Sequence, residues 1–249
     1  MMRLEVSGGI ARLLIDRPLK RNAMTTAMFE AIPGLVGQAE AKRDVRAVVL
    51  MSACAGMFCA GADIGELSAN ADDIEWRAAN QTAINAAQYR LARADRPVVA
   101  FVDGDCVGGG CGMALACDIR VATPRARFGI TPAKLGLVYP LHDTKLLIDL
   151  VGPGQAKRIL FTGELLSADE ALRIGLVDVI ADSPDELTQL IAANSLRSQC
   201  HSKTMIRRIL DGQIDDDAES LAMFARAFDG ADYKEGAAAF LAKRKPEFR

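Results

Sequence analysis

Two short glycine-containing segments each follow a run of apolar, largely β-branched residues. Phe58-Cys59-Ala60-Gly61-Ala62-Asp63-Ile64 follows residues 45–51, and Gly108-Gly109-Gly110-Cys111-Gly112 follows residues 98–102. Each can present bare backbone N–H groups at the carboxyl end of a strand, the edge at which open α/β sheets bind ligands, and glycine lets a substrate come close to the backbone. A helix opening at Gly109 would set that N–H at the positive end of a helix dipole, suited to an anionic oxygen. Glycine clusters also make ordinary tight turns, so neither segment defines a site by itself. The dinucleotide pattern G-x-G-x-x-G is absent and no Walker lysine follows.

The elements that must position these segments alternate along the chain. Residues 4–6 and 10–15 read as a β-hairpin around Ser7-Gly8-Gly9. Residues 25–41 carry helical apolar spacing (Met28, Phe29, Ile32, Leu35, Val36) with Thr25 as a cap, and residues 45–51 form a β-branched strand. The rhythm returns with a helix over 73–94, a strand over 98–102 and a helix over about 109–116, which implies an α/β fold with a mostly parallel, buried sheet. Beyond a strand at 119–122, residues 128–143 are rich in Pro, Gly and Thr and read as a functional loop. Residues 146–151, 153–162 and 168–174 read as helices, 177–180 as a strand, and helices dominate from 184 onward. The expected division is a core over residues 1–182 and a helical region over 183–249.

Composition narrows the function. Half of the 249 residues are apolar, a quarter are charged and the formal net charge is −2, so no strong field exists to attract nucleic acid or an anionic membrane. A basic stripe interleaved with aromatics is missing, and no apolar run approaches the ~18 residues of a membrane span. The N-terminus lacks a signal-like arrangement, so a cytoplasmic enzyme is expected. Cys54, Cys59, Cys106, Cys111 and Cys117 show neither CxxC spacing nor a histidine cluster, and are expected to be buried free thiols rather than metal ligands or disulfide partners.

Taken together and in order, the motifs resemble the enoyl-CoA hydratase/isomerase (crotonase) family over nearly the whole chain. They run from Arg17-Pro18-Leu19-Lys20-Arg21-Asn22-Ala23-Met24 through residues 58–66 and Asp103-Gly104-Asp105-Cys106-Val107-Gly108-Gly109-Gly110. Cys117-Asp118-Ile119-Arg120, Phe128-Gly129, Lys134-Leu135-Gly136 and a tail over 234–246 complete the series. The resemblance implies a β-β-α superhelical spiral core with a C-terminal helical trimerisation region, assembled as a homotrimer or a dimer of trimers. It implies an acyl-CoA thioester as substrate and no cofactor beyond the coenzyme A that the substrate carries. The N–H groups of Ala62 and Gly109 would form an oxyanion hole for the thioester carbonyl. Ala60, Ala62, Asp63, Ile64 and Gly65 would line the CoA path, with Lys20 and Ala23 at its nucleotide end. Trp76, Ile84 and Tyr89 would lie on the helix covering the acyl pocket.

The chain departs from this family where the acids belong. Hydratases place glutamates at the positions held here by Gly112 and Pro132, and a dehalogenase-like nucleophile would sit at Pro140. Pro132 remains in the substrate-binding loop without an acid function. The Thr-Pro, Leu-Gly and Tyr139 of this loop resemble methylmalonyl-CoA decarboxylase, in which loss of CO₂ forms the enolate without a base, although that enzyme keeps a glutamate where this chain has Gly112. A second expectation makes His142 and Asp143 a new acid/base pair for hydration or isomerisation. A third makes the chain a thioester-binding module without turnover. His201 lies in a helical region far from these motifs and is expected to be structural.

Overall fold

A computed structural model describes residues 1–248. The chain opens with the antiparallel hairpin β1 (Met2–Ser7) and β2 (Ile10–Ile15). A 3-10 turn at Pro18–Lys20 leads into α1 (Thr26–Glu40), which buries Met28, Phe29, Ile32 and Val36 along one stripe. Three turns of a spiral follow. The first is β3 (Ala47–Ser52), β4 (Met57–Cys59), α2 (Ile64–Ala69) and α3 (Ile74–Ala92). The second is β5 (Val98–Val102), β6 (Asp105–Val107) and α4 (Gly109–Leu115). The third is β7 (Ile119–Ala122), β8 (Arg127–Gly129), a 3-10 turn at Pro132–Leu135 and α5 (Leu141–Thr162). The chain continues with β9 (Leu166–Ser167), α6 (Ala168–Arg173), β10 (Val179–Ile180), α7 (Asp185–Ala193), α8 (Leu196–Leu210), α9 (Ala218–Asp229) and α10 (Ala231–Leu241).

Each spiral turn contributes one strand to each of two sheets. The larger has the order β1-β2-β3-β5-β7-β10 and is parallel from β2 onward; the smaller has the order β4-β6-β8-β9, with β4, β6 and β8 parallel. The strands of the larger sheet read as continuous apolar runs because both faces are buried. Leu13, Val48, Leu50, Val98 and Ala100 face the main core with Phe29, Ile32, Phe58 and Phe128. Ala47, Val49, Val99, Phe101 and Val121 face the other way, against Leu187 and Ile191 of α7. No helix among the described residues is long and apolar enough to cross a membrane. Cys59, Cys106, Cys111 and Cys117 are buried free thiols, and Cys54 and Cys200 are half-buried free thiols.

Two departures from the expected elements matter. The loop expected to run through residue 143 ends earlier, because Pro140 takes the N-cap position and Leu141, His142 and Asp143 form the first turn of α5. The helices expected at 146–151 and 153–162 are both present within α5, separated by non-helical Gly152 at φ 71° just ahead of Pro153. Thr25 holds the N-cap position of α1 but makes no side-chain cap; Glu66 of α2 instead accepts the Thr26 N–H at 2.9 Å.

The loop between β2 and α1 is pinned by Asn22, fully buried at φ 56°. Its amide donates to Ser52 Oγ at 2.8 Å and the Phe58 carbonyl at 3.0 Å, and its Oδ1 accepts the Arg17 N–H at 2.8 Å. Asn22→Ala strands these buried groups and places alanine in left-handed backbone, so it should cost about 2–4 kcal/mol in urea unfolding; a change under about 0.5 kcal/mol would show that the loop does not depend on Asn22.

Candidate active site

Because β4 and β6 pair in parallel, the segments leaving them emerge side by side. After β4, Met24 donates to the Gly61 carbonyl at 2.8 Å and Asp63 donates to the Met24 carbonyl at 2.9 Å, a bridge that passes over the N–H of Ala62. After β6, Gly109 is the first residue of α4, and the first N–H groups of a helix have no intrahelical acceptor. The N–H groups of Ala62 and Gly109 therefore have no protein acceptor among the described residues. A Cβ placed on Gly109 would lie 3.4 Å from Ala62 N, so the two donors sit close together. Close approach of the two segments demands glycine at 110, where a Cβ would stand 2.6 Å from both Cβ and Sγ of Cys59. Burial pushes the Cys59 thiol up to about 12, so it stays protonated behind the segment.

These donors open into a cavity of about 300 Å³. Ala60, Gly61 and Ala62 line it beside Gly108 and Gly109; Ile64 and Leu67 of α2 and Trp76, Arg77, Asn80, Gln81 and Ile84 of α3 form a second wall. Pro132, Leu137, Tyr139 and Asp143 close it. Among the expected site residues, Ala60, Ala62, Ile64, Gly109, Pro132, Tyr139 and Asp143 thus meet at one cavity. Tyr89 does not join Trp76 and Ile84: it is exposed, with Arg93 stacked 3.9 Å over its ring.

Lys20, Ala23, Asp63, Gly65 and His142 lie outside the lining. Lys20 is exposed at the end of the first 3-10 turn, and the carbonyl of neighbouring Ala23 accepts from Arg17 at 2.9 Å. Asp63 caps α2, accepting the N–H groups of Gly65 at 2.8 Å and Glu66 at 3.3 Å, and pairs with Arg17 at 2.5 Å. The Arg17 hydrogen bond holds its carboxyl below the usual carboxylate range against a smaller desolvation effect. His142 is half-buried next to Asp143 in the first turn of α5, its Nε2 buried without a hydrogen-bond partner among the described residues, and it does not line the cavity.

Asp143 is the buried carboxylate of the cavity. Its Oδ1 accepts from Gln88 Nε2 of α3 at 2.6 Å, while its Oδ2 and the Tyr139 hydroxyl are buried without a hydrogen-bond partner among the described residues. Burial raises the Asp143 carboxyl above the usual range, opposed by the Gln88 hydrogen bond and by His142. Burial, then the Asp143 charge, pushes the Tyr139 hydroxyl well up. The position of Gly112 explains the arrangement: a Cβ there would stand 2.6 Å from Gln88 Nε2, 2.7 Å from Asp143 Oδ1 and 3.2 Å from the Tyr139 hydroxyl. A carboxylate delivered from α5 fills the space that a side chain at 112 would enter. Reading by sequence missed Gln88; its signal is the spacing 77, 81, 84, 88, which puts it on the cavity stripe of α3.

A sequence model described as enoyl-CoA hydratase/isomerase matches residues 5–249. Among similar proteins, the short-chain-enoyl-CoA hydratase of Clostridium acetobutylicum is 36% identical over 98% of this chain and 95% of its own length, and the crotonyl-CoA hydratase of Syntrophomonas wolfei is 34% identical over 98% and 96%. An enoyl-CoA hydratase/isomerase family protein from Hyphomonas neptunium superposes with a TM-score of 0.94 at 40% identity, covering 100% of this chain and 97% of that one.

The Asp63 clamp has a pH signature. A carboxylate with a depressed folded-state pKa stabilises above its unfolded value of about 3.9, and that contribution is lost as pH falls through the folded value. Asp63→Asn keeps a helix cap but loses the ion pair, so it should cost about 1–2 kcal/mol at pH 7, with the gap to wild type closing towards pH 2 in thermal melts. A gap that persists unchanged at pH 2 would assign the loss to something other than the charge.

Proposed function

The chain belongs to the enoyl-CoA hydratase/isomerase family, and we propose that it forms the enolate of a short-chain acyl-CoA thioester and moves a proton on it through one carboxylate, Asp143. The carbonyl of the thioester accepts from the N–H groups of Ala62 and Gly109, where charge develops as the enolate forms. Loss of one such donor in an acyl-transfer enzyme costs about 3–4 kcal/mol, so this pair carries much of the rate. Coenzyme A runs past Ala60, Ile64 and Gly65, with Asp63 shaping that turn and Lys20 and Ala23 at the nucleotide end. No cofactor beyond the coenzyme A of the substrate enters the chemistry. Exposed Phe224, Phe228 and Tyr233 on α9 and α10 support a homotrimer or dimer of trimers built through the C-terminal helices.

The observation that carries this reading is the Asp143 carboxylate, buried at the cavity wall in the volume that Gly112 leaves free. One carboxylate suffices for double-bond migration. The C2–H bond of a 3-enoyl thioester breaks, its proton passes to Asp143 and its electron pair moves into the thioester carbonyl. The dienolate then takes the same proton back at C4, leaving a 2-enoyl thioester. Water addition, the reaction in the names of the bacterial relatives, calls for a second acid, and Pro132 offers none. Decarboxylation through Tyr139 would bring a substrate carboxylate towards Asp143, which at ~4 Å and an effective dielectric of ~20 opposes it by about 4 kcal/mol when ionised.

Mass spectrometry with crotonyl-CoA, a 3-enoyl-CoA and methylmalonyl-CoA tests these readings together. Isomerisation of the 3-enoyl-CoA is expected, with Asp143→Asn lowering kcat by about 10²–10⁴-fold. The base works only when ionised and burial raises its pKa, so kcat/KM should fall on the acid side at a pH above the ordinary carboxylate range. Loss of CO₂ that depends on Tyr139 would replace this reading with the lyase, and binding of all three without turnover would replace it with a binding module.

A further inference from the structure

Gln88 is fully buried towards the C-terminal end of α3, where an amide side chain needs a partner, and its partner is a carboxylate 55 residues away in the sequence. Its Nε2 donates to Asp143 Oδ1 at 2.6 Å, leaving Oδ2 as the oxygen of that carboxylate without a partner. Gly112 on α4 lies against both groups: the contact distances of 2.6 Å and 2.7 Å to a Cβ at this position are too short for any side chain to coexist with the pair as placed. Three elements therefore converge on one carboxylate. Helix α3 supplies the donor, α5 the acid and α4 the space.

We propose that Gln88 is a positioning residue for Asp143: its amide holds one carboxylate oxygen so that the other is aimed at the substrate, and Gly112 keeps room for that contact. This rests on the reading of Asp143 as the proton-transferring group. Hydrogen bonding to the charged form favours it, so Gln88 also offsets part of the burial that holds the Asp143 carboxyl up. The other groups acting on this pair are the Tyr139 hydroxyl from the loop and His142 beside Asp143 on α5, with the thiols of Cys106 and Cys111 behind Tyr139. Of these, the Tyr139 hydroxyl also helps to hold the Asp143 carboxyl down, by less than the Gln88 hydrogen bond does.

The test is the pH dependence of kcat for the full-length protein with a 3-enoyl-CoA. Gln88→Met keeps the length and loses the donor, and Gly112→Ala keeps both partners and forces them apart. Each should lower kcat by about 10- to 100-fold with KM changed less than about threefold, and move the acid limb up by about one pH unit. A purely structural role for Gln88 would lower the melting temperature and leave the limb in place. If Gln88→Met does not fold, Gly112→Ala carries the same test. Limbs and kcat within about twofold of wild type in the folded variants would overturn the positioning role. In parallel, Asp143→Asn separates the two claims: full activity there removes the base itself, whereas an inactive Asp143→Asn beside unaffected Gln88→Met and Gly112→Ala removes only Gln88.

Discussion

Everything at the cavity depends on how closely two parallel-strand exits approach. At Gly110 there is no room for even a methyl group against Cys59, and that closeness brings the first N–H of α4 beside the N–H that the Met24 bridge skips. Neither donor is a side chain, so neither can rotate away. The arrangement is held from outside by groups with no part in the cavity lining. Asn22 pins the preceding loop, and Arg17 with Asp63 locks the start of α2 to the carbonyl of Ala23. Preorganised donors of this kind stabilise developing charge without paying reorganisation at the moment of reaction.

A fixed pair of donors is indifferent to which group moves the proton, and the position of the acid can therefore change while the donors stay. Here a carboxylate stands in the first turn of α5, where a helix N-terminus favours negative charge, and it is buried where desolvation disfavours it. Burial prevails, so the Asp143 carboxyl is held above the usual carboxylate range. Glycine at 112 goes with this placement, since the Asp143 carboxylate from α5 and a side chain from α4 would compete for the same volume.

The β-hairpin, the alternation of strands and helices and the two glycine segments were legible from the sequence, because each depends on local patterning: two-residue turns, β-branched runs and period-3.6 apolar stripes. The cavity residues Ala60, Ala62, Gly109, Pro132, Tyr139 and Asp143 were legible through motif order. Less so was the helical start at Leu141, since Pro140 reads as a breaker when it in fact sits just ahead of a helix, where no hydrogen bond is lost. That single shift moves His142 and Asp143 from a loop onto the first turn of a helix, from which Asp143 and not His142 lines the cavity. Tyr89 lies on α3 as expected but is exposed with Arg93 over its ring, and Gln88 went unseen because the value of a buried amide depends on a partner 55 residues further along.

The central claim, enolate formation at the Ala62 and Gly109 donors with Asp143 as base, is tested most directly by hydrogen exchange on a thioester that cannot react further. Butyryl-CoA incubated with the protein in D₂O should gain deuterium at C2, read by mass spectrometry, and Asp143→Asn should suppress the gain by at least about 100-fold. Tight binding of butyryl-CoA with no deuterium incorporation by the wild-type protein would contradict it.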